Sequence, residues 1–314
     1  MVSVRSVFGA ALLALAACAT PGQPLPPTAT PQQLLDRVAA FAQPTQDGRL
    51  AALKTQLEAA GLPYTVEPFD GKRQSSKGYN VVVGTGSATG REILLTAHYD
   101  AVVLPGGKLV DGLVDNAASV VAMIEATKRV AGRTQHPVRL LVTDQEELGL
   151  VGAKAWVAAH GVSNLAAVIN ADINADGETL MYGLNNGAQS AFLNTAVAEL
   201  CAARAMSCLD FPEYPPSDEI AFIEAGAPAI SLGHQPRAEA EKLRAFMLNP
   251  PKTQPDMATL PKILMVIHTP NDALPKVQSA TLAQAADFVT ALVMKLDAEL
   301  QREDAPGFSH SQVP

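Results

Sequence analysis

The chain has 314 residues, enough for one large domain or two small ones with a substantial buried core. Apolar residues make up 48% and charged residues 17%, the composition of an ordinary globular protein. A formal net charge of −8 with no Lys/Arg-rich run argues against nucleic acid as a partner, because that partner needs a basic face.

The first residues differ from the rest. Arg5 precedes an unbroken stretch of apolar and small residues, 7–17, that ends at Cys18. This is the shape of a secretory signal, and it is short for a membrane-spanning helix. Leu15-Ala16-Ala17-Cys18 resembles the lipobox of bacterial lipoproteins. The resemblance implies removal of 1–17, lipidation of Cys18, and membrane contact through that anchor alone. Ala19, in place of the Asp that marks inner-membrane retention, implies an outer-membrane lipoprotein facing the periplasm. An ordinary cleaved signal is the alternative. Residues 18–32 are proline-rich and read as a tether, 33–301 as a single domain, and 302–314 as a polar, loose tail.

Within the domain, residues 34–41 and 50–60 have helical spacing, with Gly61 as a stop. Residues 64–69, 79–84 and 92–97 read as strands, and 116–130 as a helix of small residues. A buried strand at 138–143 precedes a helix near 153–159, and a further strand occupies 165–170. Residues 189–203 are helical, 228–232 form a strand, and 281–300 close the chain as a long helix. Strands that are apolar throughout, separated by helices, predict an α/β fold: a mainly parallel mixed sheet with helices on both faces. Residues 235–262 break the rhythm and read as an excursion over the sheet edge, with one helical piece around 238–248. Cys201 and Cys208 form a pair close in sequence; in an exported protein a bridge is expected, with two buried thiols as the alternative.

Ligands in open α/β sheets bind at the carboxyl ends of strands. Five places put metal-competent side chains at or near such ends. They are His98-Tyr99-Asp100, the run from Asp111 through Asp115 and Asn116 to Ser119, Asp144-Gln145-Glu146-Glu147, Asn170-Ala171-Asp172, and His268-Thr269-Pro270-Asn271-Asp272 after the apolar run 263–267. Each alone is weak: His-x-Asp is common, the Asp111–Ser119 run reads more plainly as a helix cap, and the run with Glu146 and Glu147 as an acidic helix N-terminus. Together they offer five ligands and a spare glutamate, enough for two metals that share one carboxylate.

The ordered set His-x-Asp, Gly-x-x-Asp-Asn-x-x-Ser, Glu-Glu-x-Gly-x-x-Gly, Asn-x-Asp and His-Thr-Pro-x-Asp resembles the co-catalytic di-zinc aminopeptidase family, which includes glutaminyl cyclases and glutamate carboxypeptidases, over roughly residues 33–300. The resemblance implies a zinc-exopeptidase (phosphorylase/hydrolase-like) fold and two zinc ions, with cobalt or manganese as substitutes. Asp115 would bridge both ions, His98 and Asp172 would complete one site, and Glu147 and His268 the other. Glu146 would be the general base for a di-zinc-bound hydroxide, and Asp100 would orient His98. The implied substrates are peptides with free N-termini.

Some positions depart from the pattern. Ile267 stands where several relatives place a tyrosine that donates to the oxyanion, leaving Tyr99, Tyr182 and Tyr214 as candidate donors. Ser217-Asp218-Glu219 replaces a common Ser-Asp-His. His234 reads as a loop histidine, and His136, His160 and His310 carry no motif. The alternatives are a glutaminyl-cyclase-like or carboxypeptidase activity on the same site, or a non-catalytic surface lipoprotein.

Overall fold

A computed structural model describes residues 25–72, 77–85, 90–252 and 257–304. The signal segment, Cys18, most of the tether and nearly all of the tail lie outside the described residues. Two helices open the domain, α1 (Pro31–Ala39) and α2 (Gln46–Ala60). Thr30 caps α1, accepting from the Gln33 amide while the Gln33 side chain reaches back, so the helix starts two residues inside the stretch read as tether. Ahead of it, Arg129 donates to the Pro26 carbonyl at 3.0 Å and the Ala29 amide to Glu125 at 2.9 Å, which lays residues 26–29 on the domain.

The strands are β1 (Tyr64–Asp70), β2 (Lys77–Thr85), β3 (Glu92–His98), β4 (Val138–Thr143), β5 (Leu165–Ala171), β6 (Thr179–Gly183), β7 (Cys208–Phe211) and β8 (Ala229–Gln235). They form one sheet in the order β1-β2-β4-β3-β5-β8-β6-β7. The centre, β4-β3-β5-β8, is parallel, and antiparallel neighbours flank it on both sides. Every residue of β3, β5 and β8 is buried, as parallel strands covered on both faces require.

The pleat divides the core. Ile93 and Leu95 of β3, Leu140 and Val142 of β4 and Ile169 of β5 face α1, α2, α3 (Ala118–Val130), α5 (Ala191–Ala203) and α8 (Ser279–Glu303). Leu94, Leu141 and Val168 face Trp156 of α4 (Val151–His160) and Phe222 of α6 (Glu219–Glu224). Among the described residues, no helix is long and apolar enough to cross a membrane.

Three elements have no counterpart in the sequence reading: β6, β7 and α6, which are five, four and six residues long. Segments so short hold too few residues for a period to show. A disulfide joins Cys201 of α5 to Cys208, the first residue of β7, and ties that edge strand to its covering helix. The apolar run 263–267 is not a strand; residues Lys262–Met265 form a 3-10 helix. His234 is no loop residue, because β8 continues three residues past the apolar run and buries it. The excursion holds α7 (Arg237–Leu248), whose Ala240 and Leu243 pack into the core, and the Lys262 amide returns to Glu239 at 2.9 Å.

Candidate metal centre

The five motifs converge at the carboxyl end of the parallel strands. His98 is the last residue of β3, and Asp172 directly follows β5. Asp115 lies in a kinked turn (Leu113–Ala117) that leads into α3; it and Asn116 have non-helical backbone angles, and the peptide bond between them is cis. Glu146 and Glu147 begin a 3-10 turn (Glu146–Leu148) after β4. His268 follows the 3-10 helix Lys262–Met265.

The separations define two donor sets around one carboxylate. His98 Nε2 stands 3.1 Å from Asp115 Oδ1 and 3.8 Å from Asp172 Oδ1. His268 Nε2 stands 3.2 Å from Asp115 Oδ2 and 3.0 Å from Glu147 Oε2. Within each set, His98–Asp115–Asp172 and Asp115–Glu147–His268, all donor atoms lie within 4.8 Å of one another. His98 Nε2, Asp172 Oδ1 and Glu147 Oε1 are buried atoms without a hydrogen-bond partner. Unpartnered buried polar atoms call for an explanation, and His98 Nε2 and Asp172 Oδ1 share one donor set while Glu147 belongs to the other, as ligands would. Imidazole and carboxylate together suit zinc.

The remaining motif residues hold these five in place. Asp100 Oδ1 lies 3.3 Å from His98 Nδ1 and accepts the Glu146 amide at 3.1 Å, while Oδ2 accepts the Glu147 amide at 3.3 Å. One buried carboxylate therefore fixes both an imidazole and the double-glutamate turn. Asn116 straddles Asp172: its amide donates to the Ala171 carbonyl at 2.9 Å, and its oxygen accepts the Ile173 amide at 3.2 Å. Ser119 Oγ accepts from the Asn174 backbone and side chain. Asp272 accepts the Val114 amide at 2.6 Å and the Asp115 amide at 3.3 Å, joining the last motif to the second. Gly152 lets α4 approach closely, since a Cβ there would lie 2.3 Å from the Asp144 carbonyl. Gln145, Ile173 and His268 all have φ near +58°, which for side-chain-bearing residues is strained backbone. His268 belongs to a donor set, Ile173 adjoins one, and Gln145 precedes the double glutamate, which fits the tendency of functional sites to store such strain.

The electrostatics call for more positive charge than the imidazoles supply. Burial pushes the Glu146 carboxyl up to about 10, with Asp218, Asp172 and Glu147 adding to the rise and His98 opposing it. Burial likewise lifts Asp218 to about 7 and Glu219 to about 8. Asp115 is held below the ordinary carboxylate range despite its burial, because His268 and His98 face it. Asp115 and Glu147 raise His268 to about 10. Burial works against a charge on His98, but Glu146, Asp100, Asp115 and Asp172 outweigh it. Asp100, Asp115, Glu146, Glu147, Asp172, Asp218 and Glu219 thus gather around two imidazoles, and such a cluster is costly to bury without cations.

Of the three candidate oxyanion donors, Tyr99 is buried and gives its hydroxyl to the Tyr79 carbonyl at 3.1 Å. Tyr182 sits on β6 beside Asp210. Tyr214 is close to the centre: a Cβ on Gly233 would lie 2.6 Å from its hydroxyl and 2.7 Å from the Asp172 carbonyl. Asp218 and Glu219, to which the motifs give no role, are buried at the rear of the site. Asp218 accepts from the Thr143 hydroxyl, and Glu219 accepts from Asn170 at 3.0 Å and from the Ser217 amide at 3.2 Å. His234 Nδ1 meets Asn174 Oδ1 at 2.6 Å. His136 and His160 stand apart, paired with Asp297 and Asp304 and with Glu67. His310 lies outside the described residues.

Comparison with known proteins gives the family and the fold. A vacuolar membrane protease of Yarrowia lipolytica is 30% identical over 120 residues, 36% of this chain and only 12% of that protein's length. The fold is similar to that of a Porphyromonas gingivalis glutaminyl cyclase (TM-score 0.65, 17% identity, 84% of this chain and 96% of that one). It is also similar to BSAP, a zinc aminopeptidase from Bacillus subtilis (TM-score 0.55, 20% identity, 71% of this chain and 51% of that one). The model of peptidase family M28 matches residues 80–293, more than half of the chain and the span that holds both donor sets, and the chain belongs to that family.

Proposed function

We propose that the protein is a zinc-dependent aminopeptidase with two ions held around Asp115. The observation that carries this reading is the division of one carboxylate: Asp115 Oδ1 faces His98 and Oδ2 faces His268, at 3.1 and 3.2 Å. Zinc held by these groups supplies Lewis acidity, polarising water and a scissile carbonyl. Cobalt and manganese accept the same donors. Glu146 takes the proton of the attacking water and hands it to the leaving nitrogen, as a general base that then acts as an acid. Asp100 keeps the proton of His98 on Nδ1, so that Nε2 presents its lone pair to the site. The excess of carboxyl groups favours a substrate that brings positive charge, as the α-ammonium of a free peptide N-terminus does. A C-terminal carboxylate would meet like charge.

A second reading, cyclisation of N-terminal glutamine, draws support from the structural likeness to a glutaminyl cyclase over 96% of that chain. Two complete donor sets favour hydrolysis. From the resemblance of Leu15-Ala16-Ala17-Cys18 to a lipobox, we also propose that the protein is exported as a lipoprotein anchored through Cys18 in the outer membrane and facing the periplasm. The Cys201–Cys208 disulfide supports an oxidising compartment.

The test is hydrolysis of aminoacyl-p-nitroanilides by the full chain, with N-acetylated substrates and N-terminal glutaminyl peptides in parallel. Turnover of free-amine substrates only, abolished by chelator and restored by zinc, is the expected result. Turnover confined to glutaminyl peptides would support the second reading, and turnover of the acetylated substrates would contradict an aminopeptidase.

A further inference from the structure

We propose that α2 clamps the rear of the metal centre, with Arg49 as a positioning residue for the ligand loops and Gln46 as its lesser partner. Neither residue falls in the span matched by the family, which begins at residue 80. Arg49 is fully buried and heads the large side chains that are so among the described residues. A buried guanidinium normally meets a carboxylate. Arg49 instead donates to four backbone carbonyls: Tyr99 at 2.6 Å, Phe41 at 3.0 Å, Gly112 at 3.0 Å, and Asp111. The Phe41 ring lies 5.6 Å from the guanidinium carbon.

The acceptors are informative. Tyr99 separates His98 from Asp100, and Asp111 and Gly112 lead into the turn that carries Asp115. One rigid fork therefore holds the two chain segments that deliver a ligand of the first donor set, the carboxylate that orients it, and the shared Asp115. Gln46, on the same face of α2, donates to the Ala101 carbonyl at 2.6 Å, adding a hold on the same loop. Gly112, with φ +59°, belongs to this contact, because a Cβ there would lie 3.0 Å from Arg49 Nη2 and 2.6 Å from the Ala101 Cβ. The positive charge, held with no carboxylate in direct contact, stands behind Asp100, Asp115 and Asp272 and offsets part of their mutual repulsion. Guanidinium suits such a position because it is planar and permanently charged, with five donors in fixed directions, where an ammonium offers a flexible point charge.

This inference rests on the metal reading above, and the test separates the two. Zinc affinity and the visible spectrum of the cobalt-substituted protein are measured for the parent, Arg49→Lys, Gln46→Ala and, as a control, Phe222→Leu in the core on the other face of the sheet. The expectation for Arg49→Lys is a folded protein whose zinc affinity falls about tenfold or more, as for other residues that orient ligands. Its cobalt spectrum changes, and kcat falls more than KM rises. Gln46→Ala moves the same readouts in the same direction by less, which decides the matter should Arg49→Lys not fold. Phe222→Leu loses thermal stability and keeps the parent's affinity and spectrum. Loss of stability in Arg49→Lys and Gln46→Ala with metal affinity and spectrum unchanged would reduce α2 to ordinary packing and overturn the proposal. A parent that binds no metal would overturn the metal reading itself, and the clamp with it.

Discussion

Asp100→Asn perturbs the centre with the least change of shape. The carboxylate carries three contacts: His98 Nδ1 at 3.3 Å, the Glu146 amide at 3.1 Å and the Glu147 amide at 3.3 Å. An asparagine oriented with its oxygen at Oδ1 keeps the first two but makes them neutral. Charge-assisted hydrogen bonds contribute about 1.5–3 kcal/mol and neutral ones about 0.5–1.5, so each loses on the order of 1 kcal/mol. Its NH2 then faces the Glu147 amide, two donors in opposition, leaving a backbone N–H unsatisfied for a further 1–3 kcal/mol, roughly. The sum, about 3–5 kcal/mol, falls on the His98 ring and on the turn that carries Glu146 and Glu147. Part of it is relieved when the turn relaxes, so an effect on zinc affinity of about 10–100-fold, the range for residues that orient ligands, is the expected outcome. The assay is competitive zinc titration against a chromophoric chelator, with thermal unfolding of the metal-free protein alongside. Affinity within twofold of the parent would refute the claim that Asp100 positions His98.

Three further outcomes follow from the same geometry. Glu146→Gln removes the proton acceptor but no ligand, so kcat falls about 10²–10⁴-fold while metal content stays at the parent's level; loss of metal instead would place Glu146 among the ligands. Burial lowers the His234 imidazole to about 3, so the folded chain keeps it neutral where the unfolded chain, with its ordinary value of 6.5, takes up a proton. Stability therefore drops as pH falls below about 6.5 and goes on dropping towards 3. Between pH 7 and 5 this one group removes about 2 kcal/mol. Denaturant unfolding of the metal-free protein at the two pH values measures it, and His234→Gln should shrink the difference by that amount; an unchanged difference would show that the burial has no such consequence. Replacing Cys201 and Cys208 by serine opens a loop spanning a sequence separation of seven, worth about 2.5 kcal/mol by chain entropy. Activity at low temperature should survive, because the bridge lies on β7 at the sheet edge, and its loss would tie that edge to the centre.

The candidate ligands are legible in the sequence because metal chemistry restricts residue type and the strands restrict place: His98, Asp172 and His268 each end or follow an apolar run, and Asp115 and Glu147 lie in short turns, before α3 and after β4. The bracing residues within the motifs are legible only as letters without jobs. Asn116 and Asp272 each join one motif to the backbone of another, and Ser119 holds Asn174 just past the fourth motif, relations that exist only once the strands are side by side. Arg49 leaves no signal. An arginine in a helix that mixes polar and apolar residues looks like any solvated one, and its four acceptors are backbone carbonyls, which no residue type marks. His234 reads as a loop residue because the apolar run of its strand stops at Leu232, while the pairing with β6 goes on through Gln235. The apolar run 263–267 carries no period that fixes its structure, and its first residues belong to the 3-10 helix Lys262–Met265 that precedes His268.

The most direct test of the shared carboxylate is metal stoichiometry by mass spectrometry and titration on the full chain and on Asp115→Asn, Asp172→Asn and Glu147→Gln. The geometry predicts two zinc ions per chain in the parent, one weakened in each of the last two variants, and both weakened in Asp115→Asn. A single ion per chain, or two ions of which Asp115→Asn weakens only one, would contradict it.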